Sequence, residues 1–366
     1  MEDIKVTQSK EGVNNLIDDK INEDNNANSF DSIFDVAIIG GGYAGLSAAL
    51  LLGRYLRPTI IFDVVKPRKS QIHGYLGFEK SPIEDVIQKA WKDVLQYHSV
   101  KRIVEKVEKV EMDYNNNLFL ISTTKTTKES NKDSDISRKR TAKARYLIIA
   151  TGIQHQKPNI KNFEEYQGNG VWHCPHCDGF ETTDKSLVII ASNNINNKAL
   201  DYAKVFLGWT KDITLFFQRP SDENNTDVIS YPLLTDEQRQ EAMTLGIDVI
   251  ENDDIVEIVA DAKTNVIKGV ISKGNRFFKA EVIFYHIGEM IQNEIANQLG
   301  CEFDEGYVKV NKKQESTVPN VYAAGDIDTD RHYAILAAAS GALAAISIYD
   351  ELLKNAIKIT KVKNKD

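Results

Sequence analysis

Two cysteines separated by two residues, with an acid directly after the second, are the residues best suited to chemistry in this chain. They form the run Cys174-Pro175-His176-Cys177-Asp178. In the first turn of a helix such a unit brings both sulfurs within disulfide range, and the unpaired N–H groups there favour a thiolate. Pro175 suits this position because its missing N–H would have no partner anyway. Asp178 is placed to carry protons to and from whichever sulfur leaves as a thiol.

The same Cys-x-x-Cys unit is also compatible with metal binding. His173 and His176 could add two nitrogen ligands to the two sulfurs. Structural zinc normally takes its second pair of ligands from elsewhere in the chain, and the remaining cysteine is the lone Cys301, which we expect in the core. We therefore predict a redox site and no metal site, with a metal-binding module as the weaker alternative. Positive charge on either histidine would lower the pKa of a neighbouring thiol.

A glycine-rich turn in the N-terminal half is the second chemical signal. The apolar run 34–39 predicts a buried parallel strand, the turn 40–45 follows it, and a helix is predicted over 46–52. A second strand over 58–62 ends at Asp63. Strand, glycine-rich turn, helix, strand and acid in this order are typical of dinucleotide-binding folds.

Each glycine of this turn has a separate physical role in such a site. Gly40 allows the tight turn, Gly42 lets the backbone approach a pyrophosphate, and Gly45 allows the helix and the strand to pack closely. Asp63 can accept a hydrogen bond from a ribose hydroxyl. The sequence therefore predicts a dinucleotide bound at this turn.

A second nucleotide-binding-like unit is predicted over about 153–285. A strand over 187–191, a helix over 198–207 and a strand over 213–217 repeat the βαβ pattern. The turn over 190–197 contains no glycine, and a Cβ at its first position would crowd a pyrophosphate. We expect the fold to be kept and its affinity for a dinucleotide to be weakened.

Weaker patterns fill the rest of the chain. We predict a helix over 81–97, a strand over 281–288 that returns to the first unit, and a small-residue helix over 333–353 that can approach a cofactor or a partner helix closely. The basic insert 125–145 is predicted as a solvated loop at a hairpin tip.

Composition excludes several classes of protein. The chain has 366 residues, 42% of them apolar and 27% charged, which is enough for a large core in two domains. The net charge of −8 argues against nucleic-acid binding. Apolar runs such as 334–348 are too short and too rich in small residues to span a bilayer, so we predict no membrane association. With no visible signal peptide and three cysteines, a cytoplasmic protein is expected.

Four motifs in a fixed order give the chain a family resemblance. They are Gly40-x-Gly42-x-x-Gly45, Ala150-Thr151-Gly152, Cys174-Pro175-His176-Cys177-Asp178-Gly179 and Ala323-Ala324-Gly325-Asp326. Over about residues 33–353 the chain resembles the low-molecular-weight thioredoxin reductases and their pyridine nucleotide–disulfide oxidoreductase relatives. The resemblance implies an α/β fold with two Rossmann-like (FAD/NAD(P)-binding) domains, the second inserted in the first.

Domain bounds follow from the same resemblance. The FAD-binding domain is expected to be discontinuous, over 31–155 and 286–353, and the NAD(P)H-like domain over 156–285 carries the Cys-x-x-Cys unit. Composition predicts a disordered arm over 1–30 and a basic tail over 354–366.

The resemblance also implies roles for individual residues. Cys177 faces the flavin, Cys174 attacks the disulfide substrate, and Asp178 is the acid and base. FAD is expected to be bound by Gly40, Gly42, Gly45, Asp63, Thr151, Gly152 and Asp326. The family further implies a homodimer, a domain rotation that alternates access to the flavin, and a thioredoxin-like protein or a small disulfide as substrate.

Departures from the family pattern concern the electron donor. The second glycine motif is missing, the basic pair that grips a 2′-phosphate is reduced to Gln218-Arg219, and Tyr333 stands where glutamine is usual. The loop around His73 resembles a divergent branch that includes fungal dithiol oxidases. Two electron paths therefore stay open. One uses NADPH or NADH, and the other is that of an NAD(P)H-independent flavin dithiol oxidase or a ferredoxin-dependent reductase.

Overall fold

The computed structural model describes most of the chain, and its strands and helices are named here in chain order. The described residues are 30, 32–64, 70–128, 135–192, 198–218 and 234–363. The predicted arm before Phe30 lies outside them, as do Arg219 and residues 193–197 of the glycine-free turn.

Short strands make up much of the described chain. They are β1 Ile33–Ile39, β2 Thr59–Phe62, β3 Gln71–Ile72, β4 Ser81–Pro82, β5 Val100–Ile103, β6 Val107–Asp113, β7 Leu118–Lys128, β8 Asp135–Ile149, β9 Ile153–His155, β10 Val171–Trp172, β11 Leu187–Ser192, β12 Ile213–Gln218, β13 Ile247–Ile250, β14 Ile255–Ala260, β15 Ile267–Ser272, β16 Phe277–Lys279, β17 Val282–His286, β18 Glu289–Ile291, β19 Phe303–Asp304, β20 Tyr307–Val308 and β21 Val321–Ala323.

Helices connect these strands. They are α1 Tyr43–Arg54, α2 Ile83–Leu95, α3 Phe163–Tyr166, α4 Pro175–Asp178, α5 Ala199–Val205, α6 Asp236–Leu245, α7 Glu294–Leu299 and α8 Ala334–Lys363. Two 3₁₀ turns, Gly179–Thr182 and Phe206–Gly208, directly follow α4 and α5.

Two compact units account for these elements. The first draws on residues 1–66, 89–152 and 292–366, and the second on residues 67–88 and 153–291. The chain is therefore an α/β protein in which one unit is inserted, in sequence, within the other.

A seven-stranded mixed sheet is the centre of the first unit. Its strand order is β5-β2-β1-β8-β7-β6, and β21 also pairs with β8. The strands β5, β2, β1, β8 and β21 are parallel, whereas β7 and β6 add to β8 as antiparallel neighbours. The predicted strand at 34–39 is confirmed as β1, which is buried from Phe34 to Ile39 as expected for a strand covered on both faces.

The second unit is centred on a parallel five-stranded sheet in the order β10-β17-β11-β12-β13. The side chains of β11 pack alternately into two different hydrophobic clusters. Ile189 packs in a cluster with Leu200 and Phe206, and Ile190 packs in another with Ile283. Because successive strand side chains point to opposite faces, this sheet is covered on both sides. The predicted second βαβ unit is thus confirmed.

The strand at Val282–His286 corrects one prediction. We expected residues 281–288 to return to the first unit, but β17 pairs in parallel with β10 and β11 in the second unit. It is one of the strands in the interior of that sheet. An apolar run identifies a buried strand, yet nothing in the run itself selects the sheet that it joins.

The basic insert corrects a second prediction. Instead of a loop over 125–145, β7 continues to Lys128 and β8 begins at Asp135, and the two pair along their length as a hairpin. Only the tip at 129–134 lies outside the described residues. Helix α2 also begins later than predicted, at Ile83, because Ser81–Pro82 pairs with β3.

The last helix is longer than its sequence pattern indicated. We predicted 333–353, but α8 runs on to Lys363 and includes most of the predicted basic tail. By length and composition its segment Ala334–Lys358 could cross a bilayer, contrary to our expectation that the apolar run is too short. This is weak evidence for a membrane span because a packed core helix meets the same criteria. A Cβ at Gly341 would overlap the carbonyl of Ala44, so α8 packs tightly on α1.

Candidate active site

The two cysteines of the Cys-x-x-Cys unit form a disulfide at the start of α4. Cys174 and Cys177 are joined with their Cα atoms 5.3 Å apart. Cys174 caps the helix, and its Sγ accepts a hydrogen bond from the Cys177 N–H at 3.2 Å. Pro175 occupies the first helical position, where no N–H partner is needed. A thiolate at Cys174 would therefore receive an N–H donor at the positive end of this short helix.

Asp178 follows the disulfide and is buried, with 5% of its surface exposed. The next residue, Gly179, lies against the ring of Trp209, where a Cβ would crowd the indole. The negative charge of Asp178 acts on the hydroxyl group of Tyr202. Burial, followed by charges that include that of Asp178, raises the pKa of Tyr202 well above its ordinary value. The structure thus places a buried carboxyl group at the last residue of α4, directly after Cys177.

The glycine-rich turn lies between β1 and α1 in the first unit. Gly40 has a φ of +112°, and a Cβ there would overlap the carbonyl of Ala150. A Cβ at Gly45 would overlap the carbonyl of Gly40, whereas the position of a Cβ at Gly42 is open space to 4 Å. Two of the three glycines are therefore required by backbone packing. Gly42 is not, and this is the position where a ligand can approach the chain.

Asp63 directly follows β2 and lies beside the glycine-rich turn. It is buried, and a Cβ at Gly41 would overlap its side chain. Arg102 approaches it at 3.4 Å and lies over the ring of Trp91. Burial lowers the pKa of Arg102, while the charge of Asp63 raises it. Sequence reasoning missed Arg102 because its contact with Asp63 depends on the pairing of β2 with β5.

Thr151 and Gly152 follow β8 and are tied to a distant segment. The Thr151 hydroxyl donates to the Gln292 carbonyl at 2.6 Å, and the Gln292 N–H donates to the Gly152 carbonyl at 3.0 Å. Gly152 has a φ of +68°, a conformation that favours glycine. Gln292 was not predicted, and no local sequence signal marks it.

Asp326 follows β21 at the turn before α8. Gly325 there has a φ of +85°, and its N–H donates to the Ser340 hydroxyl at 2.8 Å. The Ala324 N–H donates to the Ile149 carbonyl, so this turn lies beside the end of β8. The predicted residues Thr151, Gly152 and Asp326 are therefore at neighbouring strand ends.

A second acid, Asp328, shares this turn and leads to a testable pH dependence. Burial raises its pKa to about 7, the charge of Asp326 adds to the effect, and a hydrogen bond from Gln314 opposes it. Because the folded-state pKa lies above the ordinary value, the contribution of Asp328 to the free energy of unfolding falls as pH rises from about 4 through about 7.

Asp328→Asn should therefore stabilise the FAD-free protein at pH 8 by on the order of 1–3 kcal/mol and change it little at pH 4. Urea unfolding at the two pH values measures this difference. Asp330→Asn is the matched control, because Asp330 is exposed. An equal effect of Asp328→Asn at both pH values would contradict the assignment.

The fit of the first unit to FAD rests on this geometry. Gly42 is the N-cap of α1 and leaves room for a pyrophosphate at the helix N-terminus, where N–H groups have no intrahelical acceptor. The buried Asp63 stands at the end of the next strand, as a ribose partner would. Among the described residues, no group of three or more His, Cys, Asp or Glu side chains is placed to hold a metal.

The fold and the site together define a flavin-dependent disulfide oxidoreductase. The sequence matches the pyridine nucleotide-disulphide oxidoreductase family over residues 34–343, and the chain belongs to this family. It is an FAD-dependent enzyme that acts on disulfides.

Two relatives and one solved structure show which proteins of this family the chain resembles. A thioredoxin reductase of Listeria innocua is 24% identical over 352 residues, covering 92% of this chain and 99% of its own. A thioredoxin reductase of Bacillus subtilis is also 24% identical, covering 91% and 100%. The crystal structure of TrxB from Bacillus anthracis superposes with a TM-score of 0.72 at 25% identity, covering 88% of this chain and 99% of its own. The resemblance to low-molecular-weight thioredoxin reductases is thereby confirmed.

Proposed function

We propose that this enzyme is a thioredoxin reductase-like oxidoreductase in which the Cys174–Cys177 disulfide carries electrons from FAD to a disulfide substrate. The observation that supports this best is a disulfide at a helix N-terminus followed by a buried acid. When bound, FAD supplies the two electrons that convert the disulfide to a dithiol. We assign its binding to Gly40, Gly42, Gly45, Asp63, Thr151, Gly152 and Asp326.

The chain's own residues then carry out thiol–disulfide exchange. The Cys174 thiolate attacks one substrate sulfur, and the other substrate sulfur leaves and takes up a proton. The Cys177 thiolate attacks Cys174 in the mixed disulfide, which releases the second substrate thiol and restores the Cys174–Cys177 bond. Asp178 gives the proton to the leaving sulfur and recovers it from the thiol that forms the next thiolate. Two electrons and two protons reach the substrate in each cycle.

The substrate we propose is a thioredoxin-like protein, with a small disulfide as the second possibility. The names of the relatives support a protein substrate. In addition, Phe180 lies three residues after Cys177 with 68% of its surface exposed, and an exposed aromatic ring suits contact with a protein. A homodimer and a cytoplasmic location are part of the proposal and rest on the resemblance to relatives.

The electron donor is tested by an anaerobic titration of the purified flavoprotein. NADPH, NADH and dithiothreitol are added in parallel while the flavin absorbance is followed. Bleaching by a nicotinamide at near-stoichiometric amounts supports the reductase with an NAD(P)H-binding second domain. Bleaching by the dithiol alone would contradict that domain assignment and favour ferredoxin or dithiol substrates, as the glycine-free turn suggests.

Asp178→Asn should slow disulfide turnover by about 10²-fold, because the amide cannot exchange the proton that the leaving sulfur needs. The FAD content should stay the same, since the substitution lies outside the unit that carries the glycine-rich turn. Steady-state turnover and FAD absorbance per chain measure the two effects. Asp184→Asn, at an exposed acid of the same unit, is the matched control. Unchanged turnover in Asp178→Asn would show that Asp178 does not carry the proton to the leaving sulfur.

A further inference from the structure

The ion pair between Arg102 and Asp63 in the first unit includes a charged group to which neither FAD binding nor disulfide exchange has yet given a role. Asp63 is assigned to the cofactor, but the arginine beside it is not. The two side chains are largely buried, with 20% of the arginine and 6% of the aspartate exposed. A carboxylate as deeply buried as this one needs a counter-charge, because burying an unpaired charge is strongly unfavourable. Arg102 is placed to supply it.

Two contacts with β5 fix Asp63 in place. Its N–H donates to the Ile103 carbonyl at 3.0 Å, and Nη2 of Arg102 donates to its Oδ2 at 3.4 Å. The parallel pairing of the two strands places Arg102 opposite Ile61 of β2. The backbone and the side chain of Asp63 are therefore both held by the neighbouring strand, at the carboxyl end of the sheet.

A tryptophan of α2 holds the guanidinium group of Arg102. The guanidinium carbon lies 3.9 Å from the centroid of the Trp91 ring, and Trp91 is buried. The planar guanidinium group stacks well on an aromatic face, and the electrons of that face attract its positive charge. Contacts with both Trp91 and Asp63 therefore give Arg102 a fixed position, which a surface arginine in solvent does not have.

The glycine-rich turn lies against the same carboxylate. A Cβ at Gly41 would overlap the Asp63 side chain, so the carboxylate packs directly on the backbone of the turn. The next residue, Gly42, is the N-cap of α1 and the position assigned to the pyrophosphate. A pyrophosphate is itself negatively charged, and an uncompensated carboxylate this close would repel it strongly where little water separates the two. An acid and a pyrophosphate can therefore share this turn only with a positive charge beside them.

We propose that Arg102 is a positioning residue of the FAD site, which fixes the Asp63 carboxylate and cancels its repulsion of the pyrophosphate. The inference rests on the proposed binding of FAD at Gly42 and Asp63. Arg102 acts on the cofactor only through Asp63, and Trp91 acts only through Arg102. No bond is made or broken by this pair, so it sets the affinity for the cofactor and leaves the exchange chemistry of the disulfide unchanged.

The test is a double-variant cycle in which FAD is titrated into the FAD-free full-length protein, with flavin fluorescence giving the Kd. Asp63→Asn should raise the Kd by about tenfold or less, because the amide oxygen still accepts a hydrogen bond. Arg102→Met should raise it by about 10–100-fold, because the carboxylate loses its counter-charge. In the Asp63→Asn background the same change should alter the Kd by less than about threefold, since no carboxylate is left to balance.

Salt separates repulsion from a distorted fold. The defect of Arg102→Met relative to the wild type should shrink severalfold when NaCl is raised from about 0.1 M to about 1 M, because ions screen the repulsion as the cofactor enters. A defect caused by misfolding would not shrink in this way. Urea unfolding of each FAD-free variant shows that the titrations are made on folded protein.

Arg57→Met is the matched control. Arg57 also lies over an aromatic ring, that of Tyr349, and beside a carboxylate, that of Asp35, but it stands before β2 whereas Asp63 follows the strand. Asp35 keeps a second arginine at 2.8 Å, so the control leaves no carboxylate unpaired. The Kd of FAD should therefore stay at the wild-type value in Arg57→Met.

Three results overturn the proposal. They are a wild-type Kd in Arg102→Met, a defect of that variant that salt does not change, and a double variant that binds FAD more than about threefold weaker than Asp63→Asn. If Arg102→Met fails to fold, the double variant decides, because it buries no unpaired carboxylate, and its failure to fold overturns the proposal too. A wild-type Kd in Asp63→Asn instead contradicts the proposed ribose contact, and a raised Kd in Arg102→Met then still supports the counter-charge.

Discussion

Serine in place of Cys174 should lower the turnover of a thioredoxin-like substrate by at least about 10³-fold, whereas serine in place of Cys177 should trap that substrate on the enzyme. Without Cys174, no thiolate remains at the helix N-cap to attack the substrate disulfide. Without Cys177, the mixed disulfide forms and cannot be resolved. Turnover is measured with the donor that bleaches the flavin, and the trapped species is measured on a non-reducing gel with intact mass analysis.

The third cysteine is the control for this pair of variants. Cys301 is buried, and burial raises the pKa of its thiol, so Cys301→Ser should turn over and release substrate like the wild type. All three variants should keep the wild-type ratio of FAD to protein. Trapping by Cys174→Ser in place of Cys177→Ser would mean that the two sulfurs have exchanged roles.

Alanine at two glycines of the same turn should give opposite defects. Gly45→Ala places a Cβ against the Gly40 carbonyl, so we expect a loss of stability of at least about 3 kcal/mol and, with it, loss of FAD. Gly42→Ala enters open space and should fold normally, yet crowding of the pyrophosphate should weaken FAD binding by roughly 1–3 kcal/mol, or about 5–150-fold. Thermal melting and FAD absorbance per chain after gel filtration separate the two effects.

Gly208→Ala is the control, because a Cβ there also meets nothing within 4 Å and the residue lies in the second unit. It should change neither stability nor FAD content. If Gly42→Ala binds FAD as tightly as the wild type, the glycine-rich turn is not the pyrophosphate site. That result would leave the disulfide chemistry of Cys174 and Cys177 intact, since it concerns the other unit.

Local features of the chain were predictable because they depend on neighbours in sequence. The first strand, its glycine-rich turn and α1 follow from an apolar run and from steric limits at Gly40 and Gly45. The helix start at Cys174 likewise follows from a capping sulfur and a proline. The roles of these residues toward FAD and substrate stay predictions until the variants are measured.

Features that depend on pairing between distant strands were not predictable. The strand Val282–His286 was assigned to the wrong unit because its sheet is chosen by partners about a hundred residues earlier in the chain. We predicted a loop in place of the basic hairpin of β7 and β8, because its lysines and threonines do not alternate with apolar residues as a half-buried strand would. The contact of Glu289 with His155 was missed for the same reason, since it depends on the pairing of β9 with β18.

The pairing of β21 with β8 has a consequence for synthesis of the chain. Val321 lies opposite Leu147, so every residue of 153–291 must leave the ribosome before the first unit can complete its sheet. The second unit needs only residues 153–291 and the earlier 67–88, and all five strands of its parallel sheet precede β21 in the chain. The second unit, which carries the cysteine pair, can therefore fold while the first unit still lacks β21 and Asp326, because domains fold as units during synthesis and long-range pairing is slow. A nascent chain stalled before β21 would then carry its cysteine pair without the cofactor.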